Sequence, residues 1–159
     1  MKHIVGVAEM HISKCAGDVI VTHALGSCLG ICAHDASAGV GGLIHVMLPS
    51  SRVNPDKAKI NPCMFVDTGV PEFFRSLYHA GAQKQRIMVK VAGGAAVNGN
   101  GSDSFAIGRR NFVMLKKVFW KNGVMIETSD VGGKNARTMY LEVGSGSVWV
   151  TTAGRRSDL

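Results

Sequence analysis

Two apolar runs joined by a short polar stretch restrict the fold of this chain more than any other feature. Residues 29–33 and 40–47 each have the length and apolar content of a β-strand. Residues 35–39 between them are small or polar, as in a turn. The pattern therefore predicts a β-hairpin of two antiparallel strands.

The predicted hairpin brings a cysteine and a histidine together. If His34 and Gly39 close the loop, Cys28 lies directly opposite His45, with Cβ atoms about 5 Å apart. A register shifted by one residue instead pairs Cys28 with Val46 and places the histidine on the other face of the sheet. The register thus decides whether a thiol–imidazole pair forms.

The residues near Cys28 are of the types that a cysteine nucleophile requires. Such a nucleophile needs a base, a third group that orients the base, and N–H donors where negative charge develops. His45 is the candidate base, and Thr22 is the candidate orienting group. The candidate oxyanion donors are the backbone N–H groups of Gly26, Ser27 and Cys28.

A structural interpretation of the same residues remains open. A cysteine in an apolar strand is usually a small buried hydrophobic residue, and a histidine in an apolar run is more often part of the core. On spacing alone, Cys28 and His45 therefore fit the core interpretation more often than the catalytic one.

Composition indicates one globular domain. The chain has 159 residues, of which 46% are hydrophobic, so it can bury a substantial core. Its 20 glycines and 4 prolines predict many tight turns, which suits a strand-rich or mixed fold. The glycine-rich residues 93–102 lack the G-K-[ST] ending of a P-loop and the spacing of a dinucleotide fingerprint, so we do not expect a phosphate site there.

The net charge of +7 is compatible with an acidic partner, a nucleic acid, an anionic surface or simple solubility. The cations are dispersed along the chain, and no aromatic platform lies among them. A solvated basic surface is therefore the favoured interpretation, and we expect no nucleic-acid partner.

The cysteines and the N-terminal residues predict a cytoplasmic protein. The four cysteines form neither a CxxC pair nor a zinc-type spacing with the histidines, so we expect free thiols, no metal site and a reducing compartment. Glu9 interrupts the N-terminal residues before any apolar leader forms, and no apolar run approaches 18 residues in length. We expect neither export nor insertion into a membrane.

Periodicity predicts the remaining elements. Helices are expected at residues 64–80 and from residues 107–111 to Gly123. An exposed loop is expected at residues 49–62, a flexible stretch at 98–102 and a loose basic tail at 154–159. Further strands are expected at residues 4–13, 19–21, 86–92, 124–127, 137–143 and 147–152.

Five segments, taken in order, resemble the CheD family, the chemoreceptor glutamine deamidases of bacterial and archaeal chemotaxis. Together the segments extend over nearly the whole chain, and their order is more specific than any one of them. They are Thr22 with L-G-S-C at 25–28, G-G-L-I-H-V-M-L-P at 41–49, K-V-A-G-G-A at 90–95, I-G-R-R-N at 107–111, and D-V-G-G at 130–133 with Arg137.

The resemblance implies roles for particular residues. In the family, the cysteine of L-G-S-C is the nucleophile, the histidine of the second segment is the base, and the upstream threonine completes the triad. These roles fall on Cys28, His45 and Thr22. The later segments supply candidates for a substrate or partner surface, namely Gly93, Gly94, Arg109 and Asn111.

The resemblance also implies a fold, substrates and a partner. The fold is a single layered α/β (α+β) domain over residues 1–159, with mainly antiparallel strands and two main helices, related to the catalytic domain of cytotoxic necrotizing factor toxins. The substrates are glutamines of methyl-accepting chemoreceptors, with glutamyl methyl esters as a second substrate of some members. A chemotaxis phosphatase, CheC, is the expected partner, and no cofactor is expected. A regulatory module that docks on such a phosphatase is the alternative function.

The predicted pair has an electrostatic consequence. An imidazolium beside Cys28 would favour the thiolate and lower the pKa of the thiol below its free value of about 8.5. We therefore expect from the sequence that Cys28 remains reactive at mildly acidic pH.

Overall fold

The computed structural model of the protein describes residues 1–97 and 106–159. The flexible stretch predicted at 98–102 lies outside the described residues. Within them, the chain forms ten β-strands and three α-helices, in the order β1 (Lys2–Ile4), β2 (Glu9–Ser13), β3 (Val19–Leu25), β4 (Leu29–Asp35), β5 (Val40–Val46), α1 (Pro55–Ile60), α2 (Val66–His79), β6 (Met88–Gly93), α3 (Ile107–Asn122), β7 (Thr128–Val131), β8 (Arg137–Glu142), β9 (Val148–Thr152) and β10 (Arg155–Asp158).

The strands form two five-stranded sheets. The outer sheet has the order β1-β3-β8-β9-β10, and the central sheet has the order β2-β5-β4-β6-β7. β1 runs parallel to β3 and β6 runs parallel to β7, whereas the other neighbours are antiparallel. The predicted α/β architecture of mainly antiparallel strands with two main helices is confirmed, with α1 as a short third helix.

The central sheet is covered on both faces. One face packs against α2 and α3 through a cluster that includes Ile31, Phe73 and Leu115. The opposite face packs against the outer sheet through a second cluster, which includes Leu43 and Met139. Because every residue of β4 and β5 is buried, these strands appear in the sequence as apolar runs without polar alternation.

The predicted hairpin is present, but its register differs from the prediction. β4 and β5 are antiparallel neighbours, and Gly30, rather than Cys28, lies opposite His45. The predicted pairing is therefore wrong by two residues. Because side chains alternate with a period of two, this offset leaves His45 on the predicted face, towards the outer sheet.

The turn explains the register. Asp35 pairs with Val40, so the loop consists of the four residues 36–39. The Asp35 carboxylate accepts the N–H of Ala38 at 3.1 Å, and Gly39 adopts a φ of 65° that favours glycine. The prediction that His34 and Gly39 close the loop did not include this local hydrogen bond.

The first predicted strand is two strands in different sheets. β1 joins the outer sheet and β2 joins the central sheet, with a turn between them. In this turn the N–H of Gly6 donates to the Glu9 carboxylate at 2.8 Å, and Ala8 has a φ of 60°. A single strand at residues 4–13 was therefore a wrong prediction, and the break positions Val5 beside β3.

Three other predictions need correction. Residues 124–127 precede β7 instead of forming a strand, and the predicted loop at 49–62 contains α1. The tail at 154–159 is not loose, because β10 pairs with β9. In β10 the Arg156 guanidinium lies 4.3 Å from the centre of the Trp149 ring.

The two main helices agree with the periodicity. α3 ends at Asn122 and is capped by Gly123, whose φ of 66° favours glycine. Pro71 lies inside α2, in its second turn. In the part of the chain that the structure describes, no helix has the length and apolar content needed to cross a bilayer.

Candidate active site

A hydrogen bond between the two sheets joins Thr22 to His45. β3 of the outer sheet carries Thr22, β5 of the central sheet carries His45, and the two residues are 0% and 1% exposed. Thr22 Oγ1 lies 2.7 Å from His45 Nδ1 and 2.7 Å from the carbonyl oxygen of Val5, just after β1. The contact predicted between these two side chains is therefore present.

The Val5 carbonyl determines which ring nitrogen of His45 carries the proton. A carbonyl oxygen only accepts, so the single hydroxyl hydrogen of Thr22 is donated to Val5. The hydroxyl oxygen then accepts the Nδ1–H of His45, and Nε2 keeps its lone pair. Among the described residues, Nε2 is buried and has no hydrogen-bond partner. His45 is thus held in the tautomer that a general base requires.

Cys28 packs on the same side of the central sheet as His45 but is not hydrogen-bonded to it. It occupies the bend just before β4, is half-buried, and packs against the apolar cluster between the two sheets. The position opposite His45 is occupied by Gly30, two residues further along. No hydrogen bond from the described residues, Cys28 included, reaches His45 Nε2. In free enzymes such contacts are often long and shorten when the substrate binds.

Burial shifts both groups towards their neutral forms. Desolvation lowers the pKa of His45 from its ordinary value of 6.5 to about 4. Desolvation also raises the pKa of the Cys28 thiol, and a hydrogen bond from the residue's own backbone offsets this only in part. The predicted lowering of the Cys28 pKa is therefore wrong, because a neutral imidazole has no charge with which to stabilise a thiolate.

Gly30 leaves space for the groups around His45. A Cβ at this position would lie 2.9 Å from Leu25 Cδ1 and 3.0 Å from Met139 Sδ. It would also lie 3.4 Å from the Thr22 methyl carbon. The absence of a side chain at the residue opposite the base therefore allows β3 to approach β4 closely enough for Thr22 to reach His45.

The end of β6 holds the backbone of Cys28. The carbonyl oxygen of Cys28 accepts the N–H of Gly94 at 2.9 Å, and that of Gly26 accepts the N–H of Ala95 at 2.8 Å. A Cβ on Gly93, whose φ is 112°, would lie 2.2 Å from the Cys28 carbonyl oxygen. Gly93 and Gly94 are buried, and Gly94 also lines a cavity beside α3; that these glycines contribute to a substrate or partner surface stays a prediction.

The candidate oxyanion donors differ in their availability. The N–H of Gly26 already donates to the carbonyl of Ala24 at 3.0 Å, which leaves it unavailable in this conformation. Within the described residues, the N–H groups of Ser27 and Cys28 have no other backbone group as acceptor. The N–H of Ser27 is therefore without a backbone acceptor, whereas the backbone of Cys28 interacts with the residue's own thiol. Both N–H groups remain candidate donors for developing negative charge.

The two candidates from α3 lie in different environments. Arg109 is exposed and lines a cavity of about 360 Å³ together with Gly94 and Gly133. Asn111 is 0% exposed, so its predicted place on a surface is wrong. Its side chain instead donates to two backbone carbonyls beside the candidate site.

The other ligand-type residues do not form a second centre. All four cysteines are free, as predicted: Cys15 is exposed, Cys28 is half-buried, and Cys32 and Cys63 are buried. Within residues 1–97 and 106–159, no group of three or more His, Cys, Asp or Glu side chains has the arrangement of a metal site.

Sequence reasoning missed one contributor to the site and the orientation of another. The Val5 carbonyl fixes the tautomer of His45. Because every residue has a backbone carbonyl, the residue types in the sequence gave no signal for this one. The inward orientation of Asn111 had a weak signal, since it shares the buried face of α3 with Leu115 and Phe119 at helical spacing.

Comparison with known proteins identifies the family. A family model described as CheD chemotactic sensory transduction matches residues 47–152. A relative from Syntrophus aciditrophicus is 45% identical over 151 residues, which are 95% of this chain and 94% of the relative. The chain belongs to the CheD family. The matched interval of the family model begins after Cys28 and His45, and the alignment with the relative extends over nearly the whole chain.

Relatives from distant organisms share the family name. The S. aciditrophicus protein is named probable chemoreceptor glutamine deamidase CheD 1. A probable chemoreceptor glutamine deamidase CheD of Solibacter usitatus is 40% identical over 98% of this chain and 92% of its own length. One of Methanococcus maripaludis is 42% identical over 79% of this chain and 80% of its own length. The first two alignments extend over nearly the full length of both proteins, and the third covers about four fifths of each.

Proposed function

We propose that this protein is a chemoreceptor glutamine deamidase that converts specific glutamine side chains of methyl-accepting chemotaxis receptors to glutamate. Membership of the CheD family and the names of its relatives support this proposal. The observation that carries it is the buried His45, whose Nδ1 is bonded to Thr22 and whose Nε2 has no partner among the described residues. Gly30, the residue opposite His45, follows Cys28 by two positions. We expect it to act in the cytoplasm, where the signalling part of such receptors lies.

The first half of the reaction forms a thioester. Cys28 Sγ attacks the carboxamide carbon of the glutamine while its proton passes to His45 Nε2. The N–H groups of Ser27 and Cys28 stabilise the oxyanion of the tetrahedral intermediate. When the C–N bond breaks, His45 returns the proton to the departing nitrogen, and ammonia leaves. Because the resting pair is neutral, the proton transfer accompanies the attack.

The second half of the reaction restores the enzyme. A water molecule gives a proton to His45 Nε2 and attacks the thioester carbon. The C–S bond breaks, His45 protonates the sulfur of Cys28, and glutamate remains on the receptor. The net reaction consumes one water and releases one ammonia for each glutamine. A glutamyl methyl ester would follow the same course with methanol as the leaving group.

Mass spectrometry of a receptor fragment tests the proposal. The fragment is incubated with the protein or with the Cys28→Ala variant, and tryptic peptides are analysed. Each hydrolysed glutamine adds about one dalton, because an amino group is replaced by a hydroxyl group. We expect this change with the wild type and not with Cys28→Ala. Unchanged glutamines in the wild-type reaction, at enzyme concentrations equal to the substrate, would contradict the proposal.

A second candidate function, docking on a CheC-type phosphatase, is favoured by the exposed face of α3. This helix has no acidic residue. The ring of Trp120 on that face is 83% exposed. An exposed aromatic residue among cations suits an acidic protein surface. The other exposed residues of this face are Arg109, Arg110, Val113, Lys116, Lys117 and Lys121.

Charge reversal on α3 tests the docking function. The double variant Lys116→Glu with Lys117→Glu is titrated with a purified CheC-type phosphatase. We expect weaker binding than for the wild type, with a salt dependence that is reduced in the variant. Lys14→Glu with Arg155→Glu is the matched control, since both side chains are exposed and lie outside α3. Equal affinity of the two double variants would contradict the docking face.

Two further proposals concern the relationship of the fold to another family and the role of Arg109 in substrate binding. We propose that the fold is related to the catalytic domain of cytotoxic necrotizing factor toxins, which the layered arrangement of sheets and helices supports. We also propose that Arg109 contributes to the substrate side of the site. Its position on the cavity beside Gly94, whose N–H holds the Cys28 carbonyl, supports this role.

A further inference from the structure

Asn111 is a fully buried polar residue on the core face of α3. Its side-chain nitrogen donates to the carbonyl of Ser27 at 2.9 Å and to the carbonyl of Met47 at 3.1 Å. Ser27 immediately precedes Cys28, and Met47 follows His45 by two residues. One amide group therefore connects the loop of the candidate nucleophile to the end of the strand that carries the candidate base.

The geometry of the amide fixes the separation of these two segments. The two hydrogens of Nδ2 lie in one plane and point in fixed, diverging directions, so the two bonds restrict where the carbonyls can lie relative to each other. Ser27 and Met47 both lie outside the paired residues of β4 and β5. The hydrogen-bond ladder therefore does not hold these two carbonyls, and Asn111 does.

α3 also holds the other side of Cys28. A Cβ on Gly108 would lie 2.6 Å from the carbonyl carbon of Gly94, so the first turn of α3 packs directly on that residue. The N–H of Gly94 in turn binds the Cys28 carbonyl at 2.9 Å. The backbone of Cys28 is thus fixed before and after its Cα by groups that depend on the position of α3.

Of the two polar groups of this amide, only the nitrogen has partners among the described residues. Among the described residues, Asn111 Oδ1 is buried and accepts no hydrogen bond. Leaving a buried acceptor without a partner costs free energy and offsets much of what the two donated bonds contribute. An apolar side chain of the same shape would avoid this cost but would leave the Ser27 and Met47 carbonyls without their donor, so what the asparagine provides is the link between those two segments.

We propose that Asn111 is a positioning residue that holds Cys28 at the separation from His45 at which Nε2 can take the thiol proton. The proposal rests on the proposed function for its role in turnover. The positioning itself is a statement about the distance between two side chains, so it can be measured without turnover.

The test uses Asn111→Leu, which keeps the branched shape and removes the donors. The measurement is the rate of iodoacetamide labelling of Cys28 at neutral pH, with Cys15, Cys32 and Cys63 replaced by alanine. In the otherwise wild-type protein we expect labelling to be faster than in His45→Gln by about tenfold, because a neutral imidazole in place assists removal of the thiol proton. In the Asn111→Leu background we expect His45→Gln to have no further effect.

Leu115→Ala is the matched control for loss of packing on α3. Leu115 is 0% exposed and one turn further along the same face. We expect this variant to lower the urea midpoint and to keep the full effect of His45→Gln on labelling. Asn111→Ala serves as the second variant if Asn111→Leu does not fold.

A deamidation assay distinguishes failure of the positioning role of Asn111 from failure of the proposed deamidase function. With a receptor fragment, we expect Asn111→Leu to lower kcat by about tenfold or more while KM changes little, because only the alignment of reacting groups is lost. If the wild type does not deamidate the fragment but the labelling result holds, the positioning stands and the proposed function fails. A full His45 effect in Asn111→Leu, or none in the wild type, would overturn the positioning.

Discussion

The imidazole of His45 lies between the two sheets with one nitrogen bonded and the other bare. Its Nδ1 is bonded to Thr22, and its low pKa of about 4 keeps the ring neutral over the physiological range. A neutral imidazole is a competent base for a thiol whose own pKa is raised by burial. The proposed chemistry therefore requires correct placement of the proton, and it does not require an ion pair at rest.

Thr22 offers the first residue-scale prediction. Thr22→Val keeps the shape but leaves the Nδ1–H of His45 and the Val5 carbonyl without a partner, so the favoured tautomer is lost. We expect kcat for receptor deamidation to fall on the order of 10²-fold. Thr22→Ser keeps the hydroxyl and should retain most of the activity. Activity that is retained in Thr22→Val but lost in Thr22→Ser would show that the methyl group, and not the hydroxyl, is what matters.

The second residue-scale prediction concerns the reactivity of Cys28 with pH. Because burial raises the pKa of this thiol, its iodoacetamide labelling should slow as the pH falls below 8 and should be weak at pH 5.5. Labelling of an exposed cysteine peptide under the same conditions is the control. A rate for Cys28 that stays constant down to pH 5.5 would mean that a thiolate–imidazolium pair exists after all.

At the scale of elements, the site depends on how closely β3, β4 and β6 approach one another. Gly30 in β4 and Gly93 at the end of β6 each occupy a position where a Cβ would meet another strand. The sequence predicted the hairpin of β4 and β5 because both runs are apolar. It did not predict the register, because that depends on the Asp35 carboxylate within the turn.

Gly30→Ala tests the close approach of β3 and β4. The new methyl group would meet Leu25 and Met139 at about 3 Å, which crowds a packed layer. We expect a loss of about 1–3 kcal/mol in the free energy of unfolding, measured in urea, and reduced deamidation. Gly17→Ala is the matched control, since a Cβ there would meet no atom within 4 Å. Equal stability of the two variants would contradict the packing described here.

At the scale of the whole molecule, three layers bring together residues that are distant in the chain. Thr22 belongs to the outer sheet, His45 to the central sheet and Asn111 to the helical layer. Periodicity located most strands and both long helices, because it reflects local burial. It could not assign β1 and β2 to different sheets, since pairing partners depend on distant contacts. The residue pattern near Cys28 indicated the thiol, the base and the orienting threonine, and the resemblance to a known family assigned them their catalytic roles.

The buried base makes the stability of the whole fold depend on pH. The pKa of His45 is about 4 in the folded protein and near 6.5 when unfolded, so the unfolded state binds more protons between these values. The free energy of unfolding should therefore fall as the pH drops from 6.5 to 4, by up to about 3 kcal/mol from this residue. When the free energy of unfolding from urea titrations is plotted against pH, the slope between pH 4 and 6.5 should be steeper for the wild type than for His45→Gln. Parallel plots for the two proteins would show that His45 takes up protons equally in the folded and unfolded states, which would contradict a lowered pKa.

The central claim is that Cys28 is the nucleophile, and separate alanine variants of the four cysteines test it most directly. The measurement is the initial rate of ammonia release from a receptor fragment, with folding checked by urea titration. We predict that Cys28→Ala abolishes the rate, because Cys28 is the half-buried thiol in the bend beside the candidate oxyanion donors, whereas Cys32 is buried within the strand. We predict that Cys15→Ala, Cys32→Ala and Cys63→Ala retain the rate when folded. An active Cys28→Ala protein, or a folded Cys32→Ala protein without activity, would contradict the account.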